Sequence, residues 1–207
     1  MPLLYLSLAQ RLGYPVYPDS APQHLFLRYV DPNLGMQNIE ATGGGGYSSD
    51  EAYINDMEIP SRGIETRAYL KTMSYKNLVA ELFNENAIYW AKNHNAPKAM
   101  RYFEEAITLN PDNAGVYENL GNYYLELAKY ETEKHGYMPL NQISRNPIVQ
   151  SQIRGSQLKY RDQLLAKSKE LRRKAQELGV AAPIPKNYWL IQEQRRKEHK
   201  LSMEVKQ

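Results

Sequence analysis

The sequence predicts two architectures in one chain: an α+β N-terminal part, one helix plus a β-hairpin, followed by an all-α region of paired helices. Three observations lead there. Apolar residues up to Leu12 recur at helical spacing, and two β-rich runs follow, separated by turn formers. From about Ser74 the period settles near 3.6 residues and stays there. Between the two regimes lies a stretch rich in glycine and polar residues.

Each element has a local cause. In Met1–Leu12, Leu4, Leu8 and Leu12 recur every fourth position, with Leu3, Leu6 and Ala9 broadening the face. Gly13 stands where a helix C-cap glycine belongs, and Pro15 prevents continuation, so Pro15–Pro18 is read as extended. His24–Val30 and Met36–Ala41 are strand candidates joined by Asp31-Pro32-Asn33-Leu34-Gly35, a run of turn formers. Asp50–Met57 reads as a short helix and Ile59–Arg62 as a turn. Helices are expected over Ser74–Asn93, Ala96–Leu109, Ala114–Lys134, Ser156–Leu178 and Tyr188–Glu204, with His135–Gly155, which holds Pro139 and Pro147, as a loop.

The composition narrows the chemistry. With 207 residues, 42% hydrophobic and 24% charged, the chain is long enough and apolar enough to bury a core. A net charge of +3 is well short of a dedicated nucleic-acid binder. No apolar run is long enough to span a membrane, and the N-terminus lacks the basic region of a signal peptide, so a cytoplasmic protein is expected. There are no cysteines, which excludes disulfides, thiolate metal sites and a thiol nucleophile in this chain. The four histidines, His24, His94, His135 and His199, are too far apart in sequence to suggest a metal cluster, and nothing implies a cofactor.

In the helical part, Phe83, Ala87, Trp90, Ala99, Phe103, Ala106 and Pro111 alternate large and small side chains as two closely packed antiparallel helices require. Asn95 is placed to cap the second helix and Pro97 suits its first turn. Tyr117, Leu120, Gly121 and Tyr124 begin the pattern again, one period of about 34 residues later. This resembles tetratricopeptide (TPR) repeats, over residues 80–127. The resemblance implies a groove for a protein or peptide partner, with Asn86 and Asn119 as possible peptide-binding residues. The competing expectation is that these helices only buttress the N-terminal region, with both asparagines simply solvated.

The N-terminal strings PLLYLSLAQRLGYPVY, PQHLFLRY and NIEAT resemble the transglutaminase-like superfamily, of papain type, and within it the SirB1-like branch, in which TPR-like helices follow the domain. The resemblance covers residues 1–60. It implies that His24 is the catalytic histidine and Glu40 its orienting acid, in a fold that presents a cysteine at the N-terminus of the helix. Hairpin geometry offers an independent check. If Val30 faces Met36, then Phe26 faces Glu40, and His24 and Glu40 share one face as diagonal neighbours roughly 7–8 Å apart. Asn38, on that face, is a further candidate for the orienting role.

The nucleophile is missing from the matched positions. Ser7 is the nearest hydroxyl, but it lies mid-helix without the terminal dipole that would activate it, which favours a plain packing role. The expectation is therefore an N-terminally truncated chain, inactive as it stands, whose complete form is a Cys-dependent acyltransferase or amide hydrolase. The contrasting expectation is an interaction protein whose α/β part is a non-catalytic remnant.

The expected domains are 1–60, the core fragment; 61–79, a connection; 80–134, the TPR-like helices; 135–155, a loop insertion; and 156–207, helices that complete and cap the stack, Trp189 among them. Gly43–Gly46 lacks the Lys-Ser/Thr of a phosphate cradle and reads as a flexible loop. The basic residues between Arg195 and Lys200 are interspersed with glutamates and read as a solvated helix face, with anionic partners as the alternative.

Overall fold

The computed structural model describes residues 2–33, 35–41, 46–136, 147–183 and 197. The chain divides into two compact units, Met1–Tyr75 with Ala181–Gln207, and Lys76–Val180.

The first unit opens with α1 (Pro2–Arg11), then β1 (Val16–Ala21), β2 (His24–Asp31), β3 (Gly35–Ile39), β4 (Tyr47–Ser48), α2 (Asp50–Asp56) and α3 (Ser61–Glu65). Helix α1 ends in a Schellman cap. Gly13 takes φ 76°, its N–H donates to Gln10 and that of Tyr14 to Ala9. The buried residue of α1 is Leu6, whereas Leu4, Leu8 and Leu12 are 55%, 49% and 70% exposed. The fourfold leucine spacing therefore marks the outer face of this helix rather than its core face.

The four strands form one antiparallel sheet in the order β1-β2-β3-β4. The β2–β3 register pairs Val30 with Met36, as the loop length requires. Strand β1 extends the stretch expected merely to be extended. It pairs with β2 through a two-residue turn at Pro22-Gln23, with Gln23 at φ 55°. Proline followed by a positive φ is the mark of a type II turn. Pro18 is tolerated because β1 is an edge strand, where its missing N–H breaks no ladder. That edge is covered: Leu70 donates to the Ser20 carbonyl and Met73 to that of Pro18.

Two further differences from the sequence reading appear here. Tyr47-Ser48, in a polar stretch, forms β4 because Asn38 and Ile39 offer it a pairing edge. Ser61–Glu65, expected to begin in a turn, is a short helix entered through Pro60 in extended conformation. Phe26, Tyr53, Met57, Ile59 and Tyr69 make the core on the α2 side of the sheet. Ala181 belongs to this unit as well, its N–H donating to the Tyr69 hydroxyl.

The second unit holds α4 (Tyr75–Lys92), α5 (Ala96–Leu109), α6 (Ala114–Gly136) and α7 (Pro147–Glu177). Ala87, Ala99 and Ala106 are fully buried beside Phe103, with Phe83 and Trp90 packed against them. Asn95 caps α5 by accepting from the Lys98 N–H, and Asn113 does the same for α6 from Val116. Helix α7 starts at Pro147 rather than Ser156. Proline suits a first turn, and Gly155 in mid-helix costs only about 1 kcal/mol against alanine.

Helix α7 packs along α6. At Gly121 a Cβ would lie 2.6 Å from Arg172 Cγ and 3.3 Å from the Ser168 carbonyl, so only glycine permits this approach. Among the described residues no helix is long and apolar enough to cross a membrane. The expected helix 188–204 with Trp189, the glycines 43–45 and, save Lys197, the basic stretch 195–200 lie outside the described residues.

Candidate functional site

Alternation along β2 puts His24, Phe26 and Arg28 on one face of the sheet. The register adds Asp19 and Ala21 from β1 and Asn38 from β3, and Glu40 follows just beyond the end of β3. Helix α2 lies over this face. It starts at Ser49, whose hydroxyl accepts from the Ala52 N–H, and it buries Tyr53 and Met57, one helical turn apart.

Two polar constellations result. In the first, His24 Nε2 lies 2.9 Å from Glu40 Oε1 and 3.0 Å from Oε2. The Tyr53 hydroxyl donates to the same Oε1. The aromatic rings pack together: Tyr53 stacks on Phe26 with centroids 4.6 Å apart, and the His24 ring is 5.9 Å from Tyr53. The side chains of His24 and Glu40 are 7% and 13% exposed, so the pair is largely screened from water. A carboxylate can only accept, so in the neutral imidazole Nε2 carries the proton and Nδ1 carries the lone pair. This is the tautomer that a general base needs if it is to take a proton through Nδ1.

The second constellation centres on Arg28, 3% exposed. Its guanidinium forks onto Asp50, with Nη2 to Oδ1 at 2.9 Å and Nη1 to Oδ2 at 3.3 Å. Asn38 Nδ2 donates to the same Asp50 Oδ1 at 2.7 Å. Arg28 Nε is 2.7 Å from Asp19 Oδ2, a short ion pair at an angle too poor for a hydrogen bond, so both atoms lack a hydrogen-bond partner. Burial pushes the Asp19 carboxyl up to about 6, against the lowering effect of Arg28. Asn38 thus joins Asp50 and Arg28, and its side chain serves this network.

The sequence reading named His24 and Glu40, and the fold brings them into contact. No sequence motif marks Tyr53, Asp19, Arg28 or Asp50 as site residues. Tyr53 carried one signal: with Met57 it is the large residue one turn further along a short helix that follows an Ser49 cap. In the other unit Asn86 and Asn119 are not brought together. Asn86 is exposed and donates to the Leu82 carbonyl of its own helix, and Asn119 donates across to Asn84 at 3.2 Å. Asn84, 5% exposed, is a buried polar link that the spacing did not single out. Among the described residues no group of three His, Cys, Asp or Glu could hold a metal ion.

Comparison with known proteins bears on the helical unit. The tetratricopeptide-repeat family model matches residues 102–135. That span takes in most of α5 and nearly all of α6, and repeats of this kind typically mediate protein–protein interaction. No curated protein and no solved structure matches the chain.

Proposed function

We propose that the first unit is a transglutaminase-like core of papain type, SirB1-like, that keeps its base and orienting acid but is inactive in this chain, and that the helical unit is a TPR-type platform for a protein or peptide partner. The observation that carries the reading is the His24 Nε2–Glu40 contact at 2.9 Å, held in a site largely screened from water. An acyl transferase of this kind uses such a pair in a defined way. Nδ1 takes the proton of a thiol, and the thiolate attacks an amide carbonyl. The imidazolium then returns the proton to the leaving amine, and water or another amine releases the thioester. With no cysteine in the chain, His24 and Glu40 have no thiol to serve. Ser7 is exposed on α1 and is no substitute.

The chain is expected to remain unlabelled by an acyl-thiol or glutamine-donor probe. Covalent labelling that disappears in His24→Ala would contradict the inactive reading. The order kept in the His24–Glu40 pair favours a second reading, that the complete protein has the cysteine and is a Cys-dependent acyltransferase or amide hydrolase. Reading the nucleotides upstream of Met1 for an in-frame cysteine codon separates the two; finding none would sink the second. For the platform, a photoreactive residue at position 86 should cross-link a bound peptide or protein. At position 119, where the side chain is engaged with Asn84, cross-linking should be weaker.

A further inference from the structure

We infer that Tyr53 is the positioning residue of the His24–Glu40 pair. It anchors Glu40 so that the carboxylate stays on Nε2 and the imidazole keeps one tautomer. The inference rests on the reading of His24 and Glu40 as a base and its orienting acid.

The need for an anchor follows from where Glu40 sits. Strand β3 ends at Ile39, and Glu40 just beyond it donates its backbone N–H to the Gly46 carbonyl at 2.9 Å. That bond fixes the main chain of Glu40 and leaves its side chain to be placed by other contacts. A short glutamate arm at a strand end has several rotamers, and holding one of them needs a second attachment. Tyr53 is built to give it. The residue is 4% exposed, its ring is stacked on Phe26, and its hydroxyl donates to the oxygen that also faces Nε2.

The helix that carries Tyr53 is itself fixed. Its N-terminus is capped by Ser49 and gripped through Asp50 by Arg28, two residues along β2 from Phe26. The Arg28 network therefore sets α2, α2 sets Tyr53, and Tyr53 sets Glu40 against His24. A phenol also suits the task chemically: it donates to a carboxylate without carrying charge into a screened site.

A purely structural tyrosine would contribute its ring alone, and removing the hydroxyl would leave the imidazole unchanged. The test reads the imidazole. Nitrogen-15 NMR of the His24 ring, at roughly pH 8–9 where an ordinary imidazole is neutral, reports which nitrogen is protonated. The wild-type chain should show the Nε2–H form as dominant. Tyr53→Phe should raise the Nδ1–H share about fivefold, the scale of one lost hydrogen bond, with the fold intact by amide spectra. A dominant Nε2–H form that is unchanged in Tyr53→Phe overturns the inference and leaves the pair standing. Mixed tautomers in the wild type overturn the pair and the inference with it. Should Tyr53→Phe not fold, 3-fluorotyrosine at position 53 keeps ring and hydroxyl. Its fluorine resonance should move when Glu40→Gln is introduced, and a resonance that does not move overturns the inference.

Discussion

Among the described residues, Met1–Tyr75 buries a carboxylate and a guanidinium, whereas the polar groups buried in Lys76–Val180 are amides and a hydroxyl. Asp19 and Arg28, with the amide of Asn38, lie in the first unit; Asn84, Asn113 and Ser168 lie in the second. The first unit orders a short sheet and a seven-residue helix by directional contacts, with a small apolar core beneath them. The second relies on alanines and a glycine that let long helices approach, with aromatic rings filling the space left over. Charged contacts specify geometry but are unforgiving when one partner is lost, while close packing is forgiving of charge and intolerant of volume.

The largest expected effect breaks the first half of that comparison. Arg28→Met leaves the Asp19 and Asp50 carboxylates without their cation and should destabilise the first unit by about 3–5 kcal/mol. Hydrogen exchange should then accelerate in β1–β3 while α5 and α6 keep their protection. Equal loss in both units would mean that the charged network stabilises more than the sheet.

The second half is broken by volume. Gly121→Leu puts a side chain where even a Cβ meets Arg172, and overpacking of this kind should cost about 2–3 kcal/mol in urea unfolding of the helical unit. An unchanged midpoint would show that α6 and α7 separate freely at this point.

A smaller effect sharpens the contrast through pH. Burial raises the Asp19 carboxyl from 3.8 to about 6 and Glu81 from 4.5 to about 7, the latter opposed by the hydrogen bond from Asn113. A raised acid binds more protons in the folded than in the unfolded state. Its unit is therefore favoured at low pH and loses that advantage as pH rises through the unfolded and then the folded value. Stability should fall from about pH 4 to about 6 through Asp19, and from about 4.5 to about 7 through Glu81. Glu81→Gln keeps an acceptor for Asn113 and should remove the second slope, a gain of about 1 kcal/mol at neutral pH after allowing for solvent screening. A stability profile in which Glu81→Gln runs parallel to the wild type would contradict this.

The smallest effect is stabilising. Helix α4 ends in the same cap geometry as α1, but His94, at φ 55°, stands where Gly13 stands. His94→Gly should raise the thermal midpoint of the helical unit slightly, by the equivalent of about 0.5–1 kcal/mol.

How much of this could be read from the sequence differs between the units in the same way. The helix pairs were legible because their rule is periodic: Ala87, Ala99, Phe103 and Ala106 announce a close-packed seam, and all four are buried. The β2–β3 register was legible because a loop of given length leaves few pairings, and it brought His24 next to Glu40. Asp19 and Arg28 were not, since a lone charge on a strand reads as a solvent-facing residue until the helix above it is known. Asp50 looked like an ordinary acidic residue opening a helix. Tyr53 was hidden for a related reason, a core aromatic whose hydroxyl matters only once Glu40 is beside it. On α1 the leucine spacing marked the helix but not the face it buries, because a short helix with few polar residues offers no contrast from which to choose.

The position of Arg28 has a consequence for the order in which the first unit can form. Its ionic partners come from β1 and from the first turn of α2, where Asp50 is also held by Asn38 of β3. An intermediate with the sheet assembled and α2 absent would hold a cation in an apolar face with half its contacts. One with α2 docked and β1 loose would leave the arginine facing a single carboxylate. Neither half-built state is comfortable, so the strands and the helix should exchange their amide protons as one cooperative block, and the His24–Glu40 contact should appear and vanish with that block rather than fluctuate on its own.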